Sequence, residues 1–168
     1  MKTIRTAIAS IAILSPLAAM AASSPTPLGP NKGVYGDWIA ATYGTGSSKI
    51  CYAFTKPTHS SPALSHRGMP MLTVSERHGS RDEISVTPGY DYPPKASVTM
   101  HAGKSSIPFY VQDNIAFTGH VTDALTAFKR ENVATATSSG PRGVKTVTDS
   151  FSLRGFTAAY NAIVKACP

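Results

Sequence analysis

Beyond residue 34 the chain is punctuated about every 10 residues by clusters of Gly, Pro, Ser or Asn, and the segments between are short and rich in β-branched and aromatic side chains. Such spacing directs a chain to antiparallel strands joined by turns. Candidate strands are 35 to 43, 49 to 55, 70 to 77, 83 to 87, 95 to 101, 106 to 111, 114 to 118 and 144 to 150. Several alternate apolar and polar residues with the period of a half-buried strand: Leu72 and Val74, Ile84 and Val86, Val98 and Met100, or Ile107, Phe109 and Val111. Gln112-Asp113-Asn114 reads as a tight hairpin connection. Pro88-Gly89 and Pro93-Pro94 bound a loop around Tyr90-Asp91-Tyr92.

Two stretches carry helical periodicity instead. Val121, Ala124, Leu125 and Phe128 fall at i, i+3, i+4 and i+7, with Asp123 in the first turn and Lys129-Arg130 in the last, where the helix dipole favours each sign. Near the C-terminus, Phe156, Ala159, Tyr160, Ile163 and Val164 form one apolar stripe. Ser152 is expected to cap this second helix, with Phe151 and Phe156 as a hydrophobic staple. The expected fold is mainly β: an antiparallel β-sandwich, jelly-roll-like, with one internal helix and a packed C-terminal helix. Trp38, the single tryptophan, is expected as a core anchor.

The N-terminus has the layout of a secretory signal. Basic Lys2 and Arg5 precede an apolar run from Ala7 to Ala19 that Pro16 interrupts, and Ala19-Met20-Ala21 offers a cleavage site. The run is short for a membrane span, which needs roughly 20 apolar residues; an uncleaved anchor or a buried N-terminal helix is the alternative. The expected organisation is a signal peptide over 1 to 21, a flexible Ser-, Pro- and Gly-rich leader over 22 to 33, and one domain over 34 to 168. Cleavage implies a periplasmic or secreted protein that is not integral to a membrane. In that oxidising setting Cys51 and Cys167 are expected to pair; two free thiols, or a reactive cysteine, are the alternative.

Removal of Lys2 and Arg5 leaves 14 basic against 9 acidic residues, a formal charge of +5. A basic surface favours anionic partners such as lipid headgroups or acidic polysaccharide. The charges are dispersed, Lys129-Arg130 being the one adjacent basic pair, and nucleic acid is not an expected partner of an exported chain.

Catalytic and metal spacings are lacking. His59, His66, His78, His101 and His120 show no i, i+2 or i, i+4 pairing, so a metal site would need convergence from distant positions, with the loop holding His59 and His66 the one place to consider. No Gly-x-Ser-x-Gly or Ser-x-x-Lys motif occurs. Asp82-Glu83 beside Arg81 reads as a turn next to a strand, whose neighbouring carboxylates point to opposite faces. No catalytic residue, metal or cofactor is therefore expected. Tyr90 and Tyr92 in their Pro-bounded loop are the candidate recognition tip, with Arg77, Arg81 and Lys95 adding charge; rings that simply cover the sandwich edge are the alternative.

Three stretches resemble the invasion-associated locus B family of exported bacterial proteins. They are Gly36-Asp37-Trp38 with Lys49-Ile50-Cys51-Tyr52; the region of Arg67-Gly68 and Leu72-Thr73-Val74; and the run from Thr148 through Asp149-Ser150-Phe151-Ser152-Leu153-Arg154-Gly155-Phe156 to Tyr160. The likeness covers about residues 34 to 168, and it departs from the family where Phe109 to Phe117 lacks an additional cysteine pair that many members carry. It implies a β-sandwich-like domain with a packed C-terminal helix, an envelope or surface location and, in some pathogens, a link to host-cell invasion or colonisation. The expected function is thus a non-enzymatic binding domain whose partner is an envelope or host-surface protein, a glycan or an anionic lipid surface. The alternative is an exported hydrolase with a dispersed Ser, His and Asp site.

Overall fold

The computed structural model describes residues 24–168; the expected signal peptide over 1 to 21 lies outside the described residues. The strands form one antiparallel hydrogen-bonded path that curls on itself. Its first half holds β1 (Thr26–Pro27), β2 (Val34–Tyr35), β3 (Trp38–Tyr43), β4 (Ile50–Thr55), β6 (Met71–Arg77), β7 (Ser80–Thr87) and β10 (Ile115–Phe117). Its second half holds β8 (Val98–Ala102), β9 (Ser105–Gln112), β11 (Val133–Ser139), β12 (Thr146–Ser152) and β5 (Pro57–Ser61). The order is β1-β3-β4-β6-β7-β10-β9-β8-β11-β12-β5, with β2 beside β3. The β9–β10 hairpin, turned at Asp113 with φ 53°, joins the halves into a β-sandwich-like body. Helices α1 (Pro30–Gly33), α2 (Val121–Arg130) and α3 (Phe156–Ala166) complete the fold.

Period-2 alternation places one set of side chains inside. Ala40, Ala53, Val74 and Ile84 are cross-strand neighbours on the inner face of the first sheet. Met100 and Ala136 do the same in the second. Trp38, Phe128, Phe151 and Phe156 are fully buried between them. Phe156 meets Trp38 edge-on at 4.9 Å and Phe128 at 5.5 Å, a geometry aromatic pairs favour. Trp38 is thus the core anchor its sequence position indicated.

Where the path would otherwise leave an open seam, polar groups close it. The Trp38 indole donates to the Ser152 carbonyl (3.0 Å) and the Asp37 amide to the Arg154 carbonyl (3.0 Å). The Asp37 carboxylate accepts from Ser152 (2.6 Å) and from two guanidinium nitrogens of Arg154 (3.1 and 2.8 Å). Hydrogen bonds from Arg154, then from Ser152, hold this carboxyl at about 2.

This seam also corrects the expected cap of α3. Ser152 remains the last residue of β12 because its hydroxyl is engaged by Asp37, and Phe156 opens the helix rather than standing a turn inside it. The chain turns instead at Gly155, φ 91°, where a Cβ would collide with the Tyr35 carbonyl. Only glycine satisfies both demands without strain.

The flexible leader expected over 22 to 33 is also corrected for its later part. Thr26 and Pro27 pair with Thr42 and Ala41, the Leu28 amide donates to the Ala40 carbonyl (2.9 Å), and Leu28 packs against the core. The backbone of β3 had an unpaired edge, and these residues satisfy it.

The end of α3 is held covalently and electrostatically. Cys167 is disulfide-bonded to Cys51 of β4. Lys49 Nζ donates to the Ala166 carbonyl (2.7 Å) and Arg81 Nη1 to the Cys167 carbonyl (2.6 Å), two cations at the negative end of the helix dipole. Beneath them Glu76 is fully buried, its Oε2 2.8 Å from Arg81 Nε and its Oε1 accepting from the Asp82 amide (3.3 Å). Burial, then the adjacent Asp82 carboxyl, outweigh Arg81 and push Glu76 up to about 7. A carboxyl raised on folding contributes stability that is complete below its ordinary pKa of 4.5 and lost as pH climbs through 7. The urea midpoint is therefore expected to fall between those two values, by on the order of 2 kcal/mol in stability, and Glu76→Gln is expected to flatten that dependence.

Candidate binding groove

One internal polar cluster organises a surface loop. The Arg67 guanidinium makes two parallel bonds to Asp149 (2.9 and 2.6 Å), and both side chains are buried. Ser60 donates to the same carboxylate (2.6 Å). Arg67 Nε donates to the Pro88 carbonyl (2.7 Å), and its charge lies 5.4 Å from the centre of the Tyr90 ring. Such a planar fork matches a carboxylate with Nη1 and Nη2 and keeps Nε for the backbone, a geometry that the point charge of lysine does not offer. The loop that follows β7 is further fixed by the Gly68 amide donating to the Gly89 carbonyl (2.8 Å).

Tyr90 consequently points inward. Its hydroxyl lies 2.9 Å from Ser138 Oγ and donates to the Ser139 carbonyl (3.1 Å), and burial pushes the phenol up. Tyr92 meets Tyr90 edge-on at 5.8 Å; its hydroxyl is buried with no hydrogen-bond partner among the described residues, and burial raises its pKa. Beyond it, Lys95 takes a left-handed backbone with φ 59°.

The outer side of this loop and the β9–β10 hairpin enclose an open groove of about 430 Å³, lined by Tyr92, Pro93, Pro94, Lys95, Tyr110 and Asp113 among others. Tyr110 is 58% exposed, the most open of the large apolar residues among those described. Its outward direction follows from alternation, because Ile107 and Phe109 of the same strand face the core. From Tyr110 an outward row runs across the first sheet: Phe117 (ring centroids 6.0 Å apart), Ser85, Thr73, Phe54, Ile39 and Val34. Val34 and Ile39 are also exposed.

Of the residues expected to form a recognition tip, the structure brings Tyr92 and Lys95 together on this groove, with Tyr90 behind them as support. Arg77 and Arg81 are elsewhere, at the opposite end of β7. Arg77 pairs with Glu83 (2.7 Å) and Arg81 with Glu76, so both serve the β6–β7 hairpin and the end of α3. Proximity in sequence misled here because an eight-residue strand carries the chain about 25 Å away. Tyr110 had a signal, as an outward residue between Ile107, Phe109 and Val111, but its place beside the loop required the strand order.

The histidines do not converge. His59 and His101 lie on the outer face of the second sheet, His66 follows β5 in a loop, His78 sits in the β6–β7 turn, and His120 is 3.8 Å from Asp123. No group of three metal-ligating side chains is assembled among the described residues. Asp82, with φ 54° beside a register shift of the β6–β7 pair, and Glu83 take different partners, Asp82 accepting from Tyr160 (2.6 Å) and Glu83 from Arg77 (2.7 Å). No helix among the described residues is long and apolar enough to cross a membrane. No protein-family model, curated protein or solved structure matches the chain.

Proposed function

We propose that the chain is an exported, non-enzymatic binding domain of the invasion-associated locus B type, and that it engages an envelope or host-surface protein through the groove between Tyr92 and Tyr110. The observation that carries this reading is the exposure of Tyr110 above a loop held by a buried ion pair: an open aromatic surface on a rigid support. Aromatic side chains lose little conformational freedom on binding and desolvate a large area, which makes them frequent binding hot spots. Proline on the opposite wall adds apolar surface already fixed in shape.

The proposed location is periplasmic or secreted, after cleavage near Ala21. The disulfide supports this, since such bonds persist in oxidising compartments. Mass spectrometry of native protein is expected to give a chain beginning at Ala22 with both sulfurs oxidised; an intact Met1 end with two thiols in the cytosol would refute the export.

A crosslinked pull-down from the cell envelope tests the groove. One partner, competed by excess unlabelled protein, is expected with the wild type and lost with Tyr110→Ala. At a hot spot this truncation costs about 2 kcal/mol or more, roughly a 30-fold loss of affinity. Equal recovery by the variant would exclude the groove.

A further inference from the structure

We propose that the outer face of the second sheet binds an acidic polysaccharide through hydroxyl, imidazole and ammonium groups. Cross-strand register sets out two parallel rows on this face. One contains His101, Thr135, Ser150 and His59, and the other Thr99, Thr137, Thr148 and Ser61, each crossing β8, β11, β12 and β5. Adjacent members are about 4.8 Å apart, close to the length that one hexose adds to an extended chain.

Threonine on a solvent-facing strand is ordinary by itself, because it is a good strand former. The charge pattern is what distinguishes this face. Among the described residues, no outward position of β8, β11 or β12 carries a carboxylate. Of the nearby acids, Asp149 points inward to Arg67 and Asp37 binds Arg154 at the far end of β12, while Glu131 stands beyond the strand ends against Gly103 of the β8–β9 turn. Cations frame the rows, with Arg142 and Lys145 in the β11–β12 loop and Lys104 in the β8–β9 turn. The first sheet differs, since its outer face carries the aromatic row and the Arg77–Glu83 pair.

At one end of the rows the face deepens into a shallow groove of about 210 Å³. It is lined by Thr99, His101, Thr137, Ser139, Lys145 and Thr146 among others. Hydroxyl and ammonium groups converging without a competing carboxylate suit a sulfate or carboxylate, since hydrogen bonds to an ionised acceptor are the stronger kind. Repeated anionic groups along a sugar chain would meet repeated donors along the rows. This surface adjoins the Tyr92–Tyr110 groove across residues 95 to 97 and uses different side chains.

Titration of the purified, disulfide-bonded protein with dextran sulfate, polygalacturonate and neutral dextran tests the proposal. Saturable binding of at least one anionic polymer and none of the neutral one is expected, with affinity falling about 10-fold or more from low to high salt as exposed charges are screened. Sulfate or carboxylate preference is read from which anionic polymer binds. Combined His101→Gln, Thr137→Val and Lys145→Gln are expected to weaken binding at least 10-fold, while Lys165→Gln, which removes one exposed charge on α3, packed against the first sheet, leaves it within 2-fold. These changes are on the surface and keep the β-branched position, and unchanged thermal unfolding confirms that the variants fold. Equal binding of neutral dextran, unaltered affinity in the triple variant, or an equal loss in Lys165→Gln would overturn the proposal. Loss confined to Tyr110→Ala would overturn it too, placing the sugar in the aromatic groove.

Discussion

Combined Cys51→Ala and Cys167→Ala are expected to lower stability by about 4–5 kcal/mol, because the crosslink spans a sequence separation of 116 residues and removes much of the entropy of the unfolded chain. For a domain of this size that loss corresponds to a drop of roughly 10–20 °C in Tm. The same result is expected from reduction of the wild type before unfolding. The native core is little altered by the change, since α3 is also docked through Phe156, Ala159 and Ile163. Amide exchange is therefore expected to rise first over 163 to 168, where Lys49 and Arg81 bind the helix end but no longer share that task with a covalent bond. A Tm loss below about 3 °C, on the order of 1 kcal/mol, would mean that packing alone fixes the helix.

Arg67→Leu is expected to destabilise the protein by about 3–5 kcal/mol, since it strands the buried Asp149 carboxylate with the Ser60 hydroxyl and removes the guanidinium fork. The companion prediction concerns its repair. Adding Asp149→Leu removes the orphaned charge, and the double variant is expected to regain at least half of the loss, because a buried ion pair and an apolar pair of similar volume are often close in net stability. Chemical denaturation of the three proteins measures both effects. The loop is expected to respond differently: neither variant can supply the bond from Arg67 Nε to the Pro88 carbonyl or the cation above Tyr90. Exchange over residues 88 to 97 is thus expected to stay fast in the double variant even as global stability returns. Recovery of both together would show that the ion pair braces the core and not the groove.

Sequence periodicity made much of the fold legible. Leu72, Val74, Ile84 and Val86 alternate with polar residues because one face of their sheet is buried, and the internal helix over Val121–Arg130 was bounded correctly by its apolar spacing and terminal charges. Besides the two-residue β1 in the expected leader, two strands escaped notice for a physical reason. β5, Pro-Thr-His-Ser-Ser, has turn-like composition and forms because β12 offers an edge; β11 alternates Ala with Thr, a weak contrast that the core reads through the small buried Ala134 and Ala136. The start of α3 was misjudged because Ser152 has the chemistry of a cap, and its capture by Asp37 depends on a contact 115 residues away.

The groove was only half visible. Prolines around Tyr90-Asp91-Tyr92 marked a fixed loop, and Tyr92 and Lys95 do line the surface. Tyr110 and Asp113 join them through the β9–β10 hairpin, a neighbour that only the sheet order defines. Arg67 gave no local sign of its role, since its partner Asp149 is 82 residues distant.

The proposed binding role is tested most directly by placing a photoactivatable phenylalanine analogue at Tyr110 and, as a control, at Tyr43, which is 46% exposed at the far end of the first sheet. In intact envelopes, position 110 is expected to yield one adduct that excess unmodified protein abolishes, while position 43 yields none. Adducts of equal strength from both positions, or none from 110, would contradict a partner seated against Tyr92 and the prolines.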